Sequence, residues 1–140
     1  MQDVRYGFRA DGSIRSIENT PQIDDSGSAQ ITVRTEYRYD GLARLSRARG
    51  EYTREYNGEQ RSENWANAWA WAPNGNLLRR DTLDYASNSL TSRESYSYAG
   101  HALTAVDNSS AGRTQTLRYD DAGNLSQQTD NVSGESKTME

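Results

Sequence analysis

Tyr37-Arg38-Tyr39-Asp40-Gly41-Leu42-Ala43-Arg44-Leu45 returns later in the chain as Leu117-Arg118-Tyr119-Asp120-Asp121-Ala122-Gly123-Asn124-Leu125. Trp69-Ala70-Trp71-Ala72-Pro73-Asn74-Gly75-Asn76-Leu77 is the same sentence with Trp in place of Tyr. Tyr6-Gly7-Phe8-Arg9-Ala10-Asp11-Gly12-Ser13-Ile14 is a degenerate first copy. Tyr96-Ser97-Tyr98-Ala99-Gly100-His101-Ala102-Leu103 is one residue short. Starts at 6, 37, 69, 96 and 117 give spacings of 31, 32, 27 and 21, so the unit is constant and the intervening length is not. Self-similarity of this kind marks repeat architectures, in which each copy buries its face against its neighbours.

Each half of the unit has a local physical reason. Aromatic residues at i and i+2 lie on one face of a strand and can stack on adjacent copies. Asp then accepts backbone N–H bonds in an Asx-type turn, Gly supplies a positive φ, and the aliphatic residue two places later opens the returning strand. The unit therefore predicts a β-hairpin. Between the units, Ile31, Val33, Thr35, Tyr37 and Tyr39 alternate with Thr32, Arg34, Glu36 and Arg38, a strict period of two. Asn57-Gly58 signals a two-residue hairpin, and Asp107 to Gly112 a longer loop. Thr20 to Ser28, with Pro21, reads as a loose connection. The expectation is an all-β chain of eight to ten strands without helices, a single array of five hairpins forming a curved antiparallel sheet. The tail over residues 130–140 is read either as disordered or as the outer strand of a next repeat.

Composition narrows the function classes. Only 18 of 140 residues are Leu, Ile, Val or Phe, while nine Tyr, three Trp and one Phe supply the aromatic material. That balance suits a sheet surface better than a thick aliphatic core. Sixteen basic and 20 acidic side chains leave a net charge of −4, which argues against a nucleic-acid partner held by a basic face. No stretch approaches the length of an apolar membrane span, and Met1 to Tyr6 has no apolar run of the secretory kind. With no Cys and a lone His101, neither a thiolate nor a multi-histidine metal site is available, and no cofactor fingerprint occurs.

The Tyr-x-Tyr-Asp-x-x-Gly-Asn/Arg-Leu pattern resembles the tyrosine–aspartate (YD) repeat of the rearrangement-hotspot (Rhs) family. That family includes bacterial Rhs polymorphic toxins, the B and C components of insecticidal Tc toxins, and the animal teneurins. The residues that carry the resemblance are Tyr6, Phe8 and Gly12; Tyr37, Tyr39, Asp40 and Leu45; Trp69, Trp71, Gly75 and Leu77; Tyr96, Tyr98 and Leu103; and Tyr119, Asp120, Gly123 and Leu125. Ala43 stands at the Gly position of the second copy, and Ala72 and Ala99 replace the Asp, so those turns are expected to be held differently. The resemblance implies a β-sheet that spirals into a shell or small barrel, enclosing a toxin domain or supporting adhesion, in a secreted or cell-surface parent. Five copies are fewer than a shell needs, and neither Pro21 nor Pro73 follows an Asp as in the family's closing motif. The chain is accordingly expected to be a shell segment, with neighbouring repeats or a second copy of itself as partner through strand edges.

Two other readings stand beside that structural one. Trp65, Trp69 and Trp71 share one strand parity with Asn67, and Asn64, Asn74 and Asn76 lie nearby in sequence, a pattern that suits a carbohydrate. Trp65 is the one outside the repeat register, which makes it the best candidate for a non-structural role. Catalysis by paired carboxylates has Asp24-Asp25, Asp81 with Asp84, and Asp120-Asp121 to draw on, but such acids in turn-rich segments are usually solvated. No catalytic residue is assigned.

Overall fold

The computed structural model describes residues 3–20, 29–56, 58–134 and 136–138. Among them there is no helix, and eleven strands form one open antiparallel sheet whose spatial order follows chain order. The expected loose connection at residues 21–28, with Asp24 and Asp25, lies outside the described residues, as does Asn57. The chain divides into two compact units, Met1–Ala68 with Leu83–Ser89, and Trp69–Thr82 with Leu90–Glu140.

The first unit holds β1 (Val4–Phe8), β2 (Ile14–Asn19), β3 (Ala29–Tyr39), β4 (Leu45–Tyr56) and most of β5 (Glu59–Trp71). On β3 the expected alternation is realised: Val33, Thr35, Tyr37 and Tyr39 are half-buried, whereas Arg34, Glu36 and Arg38 are exposed. Residues directly opposite one another in a ladder share a face, so pairing extends this division across the unit. Tyr6, Ile17, Thr35, Gly50 and Trp65 stand in one row of the aromatic face. Arg5, Glu18, Arg34 and Glu51 stand in a row of the opposite, charged face. There Arg34 donates to Glu18 at 3.2 Å and Arg49 to Glu36 at 2.8 Å.

The second unit holds β6 (Leu77–Leu83, to Thr82), β7 (Leu90–Ala99), β8 (Ala102–Asn108), β9 (Arg113–Tyr119), β10 (Leu125–Asp130) and β11 (Ser136–Thr138). The loop between β8 and β9 falls inside the Asp107–Gly112 stretch. The tail carries β11, paired with β10 through Thr129 and Ser136, which takes the strand count one above the expected range. Its three residues are exposed and polar, so no periodicity marks them.

Nothing large is sealed away. Among the described residues the buried apolar side chains are Ala48 and Ala66, and no larger side chain is fully buried. Tyr6 and Phe8, on one strand, pack their rings beside each other with centroids 6.3 Å apart.

Candidate functional site

The recurring turn is the most regular feature of the molecule. In four copies an amide donates five residues forward, counting both ends: Arg9 to Ser13, Asp40 to Arg44, Ala72 to Asn76 and Asp120 to Asn124, all at 2.8–2.9 Å. In the same copies Gly12, Ala43, Gly75 and Gly123 donate back to the first residue's carbonyl at 3.0–3.1 Å. Those four residues all have positive φ, 82°, 58°, 91° and 86° respectively. This is a tight turn followed by one left-handed residue, a common three-residue hairpin loop. Ala43 adopts the conformation that the motif reserves for Gly, at the cost of crowding its Cβ.

The aspartates act as expected. Asp40 Oδ1 accepts from the amides of Leu42 and Arg44 at 2.9 Å, and Asp120 Oδ1 from those of Ala122 and Asn124 at 3.0 and 2.8 Å. Arg44 closes the turn over the Asp40 carboxylate at 2.7 Å. These bonds, the Arg44 side-chain bond foremost for Asp40 and the Asn124 backbone bond foremost for Asp120, hold both carboxyls below their ordinary pKa. Where the first position is not Asp, a residue two places later takes over. Asp11 Oδ1 accepts from the Ser13 amide at 3.0 Å, and Asn74 Oδ1 from the Asn76 amide at 3.2 Å. The same backbone donor is satisfied from either position, a signal present in the sequence as the Asp11 and Asn74 of copies that lack the first Asp.

The short copy is held from the side. β7 and β8 close through a two-residue turn, Ala99 opposite Ala102, with Gly100 at φ 63°. Asn76 donates to the Gly100 carbonyl at 2.9 Å and its Oδ1 meets His101 Nδ1 at 3.3 Å, so the preceding turn clasps this one. Yet the pairing beyond is unchanged. Phe8, Tyr39, Tyr98 and Tyr119 each stand opposite the aliphatic Ile14, Leu45, Leu103 and Leu125. One extra residue then bulges from each returning strand: Arg15, Ser46, Thr104 and Ser126. Thr104 and Ser126 each donate a hydroxyl to a carbonyl of the facing strand at 3.1 Å, to Ser97 and Arg118. A bulge of this kind increases local twist, and the sequence unit gives no sign of it.

The residues of the expected aromatic platform, all on β5, fall in both units. Trp65 and Asn67 belong to the first unit, Trp69 and Trp71 to the second, where both are half-buried. Trp65 is 42% exposed and lies flat over Gly50; a Cβ on Gly50 would sit 2.5 Å from the indole. Asn67 is half-buried opposite Ala48, whereas Asn64 falls on the other face of β5, opposite Glu51. Asn74 and Asn76 are committed to the turns. Tyr6 and Phe8 stack on each other at 6.3 Å and are more than half exposed. Tyr37 and Tyr39 are half-buried, and Tyr39 donates its hydroxyl to the Ile14 carbonyl at 2.9 Å, tying one copy to the one before. Beside them Phe8, Arg9, Arg15, Glu36, Tyr37 and Tyr39 line most of an open concavity of about 780 Å³.

Of the carboxylates named for acid–base chemistry, Asp81, Asp84 and Asp120 have partners. Asp81 is buried and takes Arg93 at 2.7 and 3.0 Å, chiefly through which its pKa is lowered. Asp84 caps Ser87 at 2.8 Å. Asp130, missed by sequence reasoning, is buried between Arg113 at 2.5 Å and Gln115 at 3.3 Å; the Arg113 bond, then the Val132 amide, pull its pKa to about 2. No group of three or more potential metal ligands occurs among the described residues. No helix among them is long and apolar enough to cross a membrane. No model of a known protein family matches the chain, and no curated protein matches it either.

Proposed function

We propose that the chain is a non-catalytic structural segment of a YD-repeat sheet, the kind of shell wall that encloses or displays a toxin or adhesion domain in Rhs-like proteins. The observation that carries this reading is a pairing of opposites. The turn unit recurs with nearly the same hydrogen bonds four times, while among the described residues no large side chain of the aromatic face is fully buried. Regular edges and an incompletely buried face are what a repeat array offers to its neighbours. The natural partners are further repeats or a second copy through strand edges, and the parent protein is a secreted or surface-displayed one.

Light scattering on the 140-residue chain across a concentration series tests this. Growth of the mass above 15.7 kDa supports the segment reading. A monomer that persists at high concentration overturns it and favours a binding module. That second reading has one observation of its own: the indole of Trp65, packed on Gly50 and 42% exposed, offers ring surface to the C–H face of a sugar. Glycan binding that Trp65→Ala abolishes would establish it.

A further inference from the structure

The charged face of the first unit is balanced in one half and unbalanced in the other. Arg34 has Glu18, and Arg49 has Glu36. Arg38 and Arg47, however, stand directly opposite each other on β3 and β4. Like charges so placed are destabilising. Arg38 is exposed and its side chain has no hydrogen-bond or ion-pair partner among the described residues. Arg47 donates from Nη2 to the Asn88 side-chain oxygen, a neutral acceptor, and its Nε is buried without an acceptor. Arg49 lies two residues further along β4, with the Tyr85 ring 5.8 Å from its guanidinium.

The loop over residues 84–89 is built to reach this place. Asp84 Oδ1 accepts from the Ser87 amide and hydroxyl, and the Asp84 carbonyl accepts from the Asn88 amide at 2.9 Å. Asn88 is held at φ 59°, a left-handed conformation that costs most side chains energy and Asn least. Glu36, Arg38, Arg47, Arg49 and Asn88 enclose a depression of about 220 Å³. Three guanidinium groups face one carboxylate there, a local excess of positive charge on a chain whose net charge is −4.

We propose that Arg38, Arg47 and Arg49 form a binding site for a tetrahedral oxyanion, a phosphate or sulfate group. Planar guanidinium forks match the oxygen spacing of such groups, and one multiply charged anion would offset the facing charges of Arg38 and Arg47 together. Glu36 keeps Arg49 oriented, and Asn88 keeps Arg47 extended toward the depression. Glu36 and Arg38 also line the concavity beside Tyr37 and Tyr39.

The test is an NMR titration of the whole chain with inorganic phosphate and, separately, inorganic sulfate, at ionic strength fixed with sodium chloride. Melting temperature is not the readout, because both anions stabilise most folds by exclusion from the surface. Saturable shifts confined to residues around Arg38, Arg47 and Asn88 are expected. Arg38→Gln weakens binding about tenfold or more, and Arg34→Gln, on the same face but paired with Glu18, leaves it unchanged. Saturation by one anion alone identifies the group; saturation by both assigns the site to either. Binding no tighter than that of chloride overturns the proposal, as does an Arg38→Gln variant that binds like the wild-type chain. Arg38 is exposed, so its substitution does not threaten the fold.

Discussion

In the first unit, a cross-strand row of the aromatic face runs Tyr6, Ile17, Thr35, Gly50, Trp65. In the second unit, a comparable row runs Tyr96, Val106, Gln115, Asp130. Both begin at the first aromatic position of a copy. The first row ends in a glycine covered by an indole, and its salt bridges lie on the opposite, solvated face, where such pairs contribute little. The second ends in a buried carboxylate clasped by Arg113, and Asp81 with Arg93 adds another buried carboxylate to that unit. The hairpin turn is thus a transferable part, whereas the row beyond it ends in an indole laid on glycine in one unit and in an ion pair in the other. Different perturbations should therefore damage different halves of one chain.

The largest effect is expected at Gly50. A side chain there must displace Trp65, so Gly50→Val costs about 2–3 kcal/mol in urea unfolding, as overpacking does elsewhere. In a Trp65→Ala background the same change should cost at least about 1 kcal/mol less. Equal costs in both backgrounds would remove the indole-on-glycine contact from the account.

Next come the left-handed turn residues. Gly123→Ala, at φ 86°, is expected to cost about 1–2 kcal/mol. Ala43→Gly, at φ 58°, relieves strain but loosens the unfolded chain, for a net gain of about 0.5 kcal/mol. Opposite signs at equivalent positions, read from thermal or urea melts, would show that the two turns are one structure.

Acid should act most strongly on the second unit. The Asp130 carboxyl has a folded pKa of about 2 against an ordinary 3.8. A depressed carboxylate pKa contributes stability that is complete above the unfolded value and lost as pH falls through the folded one. Stability should drop between about pH 4 and pH 2, and Asp130→Asn should flatten that slope. Amide exchange near β9 and β10 should rise first; simultaneous opening around β3 and β4 would erase the contrast.

The smallest effect lies at the alkaline end. Burial foremost, then the hydrogen bond to Glu94 at 2.8 Å, push the Tyr96 hydroxyl up to about 12 from 10.0. Its contribution is complete below pH 10 and lost as pH rises toward 12, and Tyr96→Phe should remove that loss.

Much of the turn was legible in the residues themselves, because Asp40, Asp120 and the glycines act on neighbours within five positions. The alternation on β3 was legible for the same reason: its period is local. What escaped depends on pairing across distance. Nothing beside Gly50 in the sequence announces Trp65 on the next strand, and nothing near Asn88 announces Arg47. The bulges at Arg15, Ser46, Thr104 and Ser126 are properties of a register, and a register belongs to two strands at once. The substitution of Asp11 and Asn74 for a missing first Asp was visible but required the geometry to give it meaning.

Trp65 stands 42% exposed on the aromatic face, and among the described residues no large side chain of that face is fully buried. Acrylamide quenching of a Trp69→Phe, Trp71→Phe variant, which leaves Trp65 as the sole tryptophan, tests that exposure at a concentration where light scattering gives the monomer mass. Red-shifted emission that is readily quenched is expected, becoming shielded as concentration and mass rise together. Blue-shifted, unquenched emission from the monomer would mean that the chain buries Trp65 by itself, and the segment reading would fall.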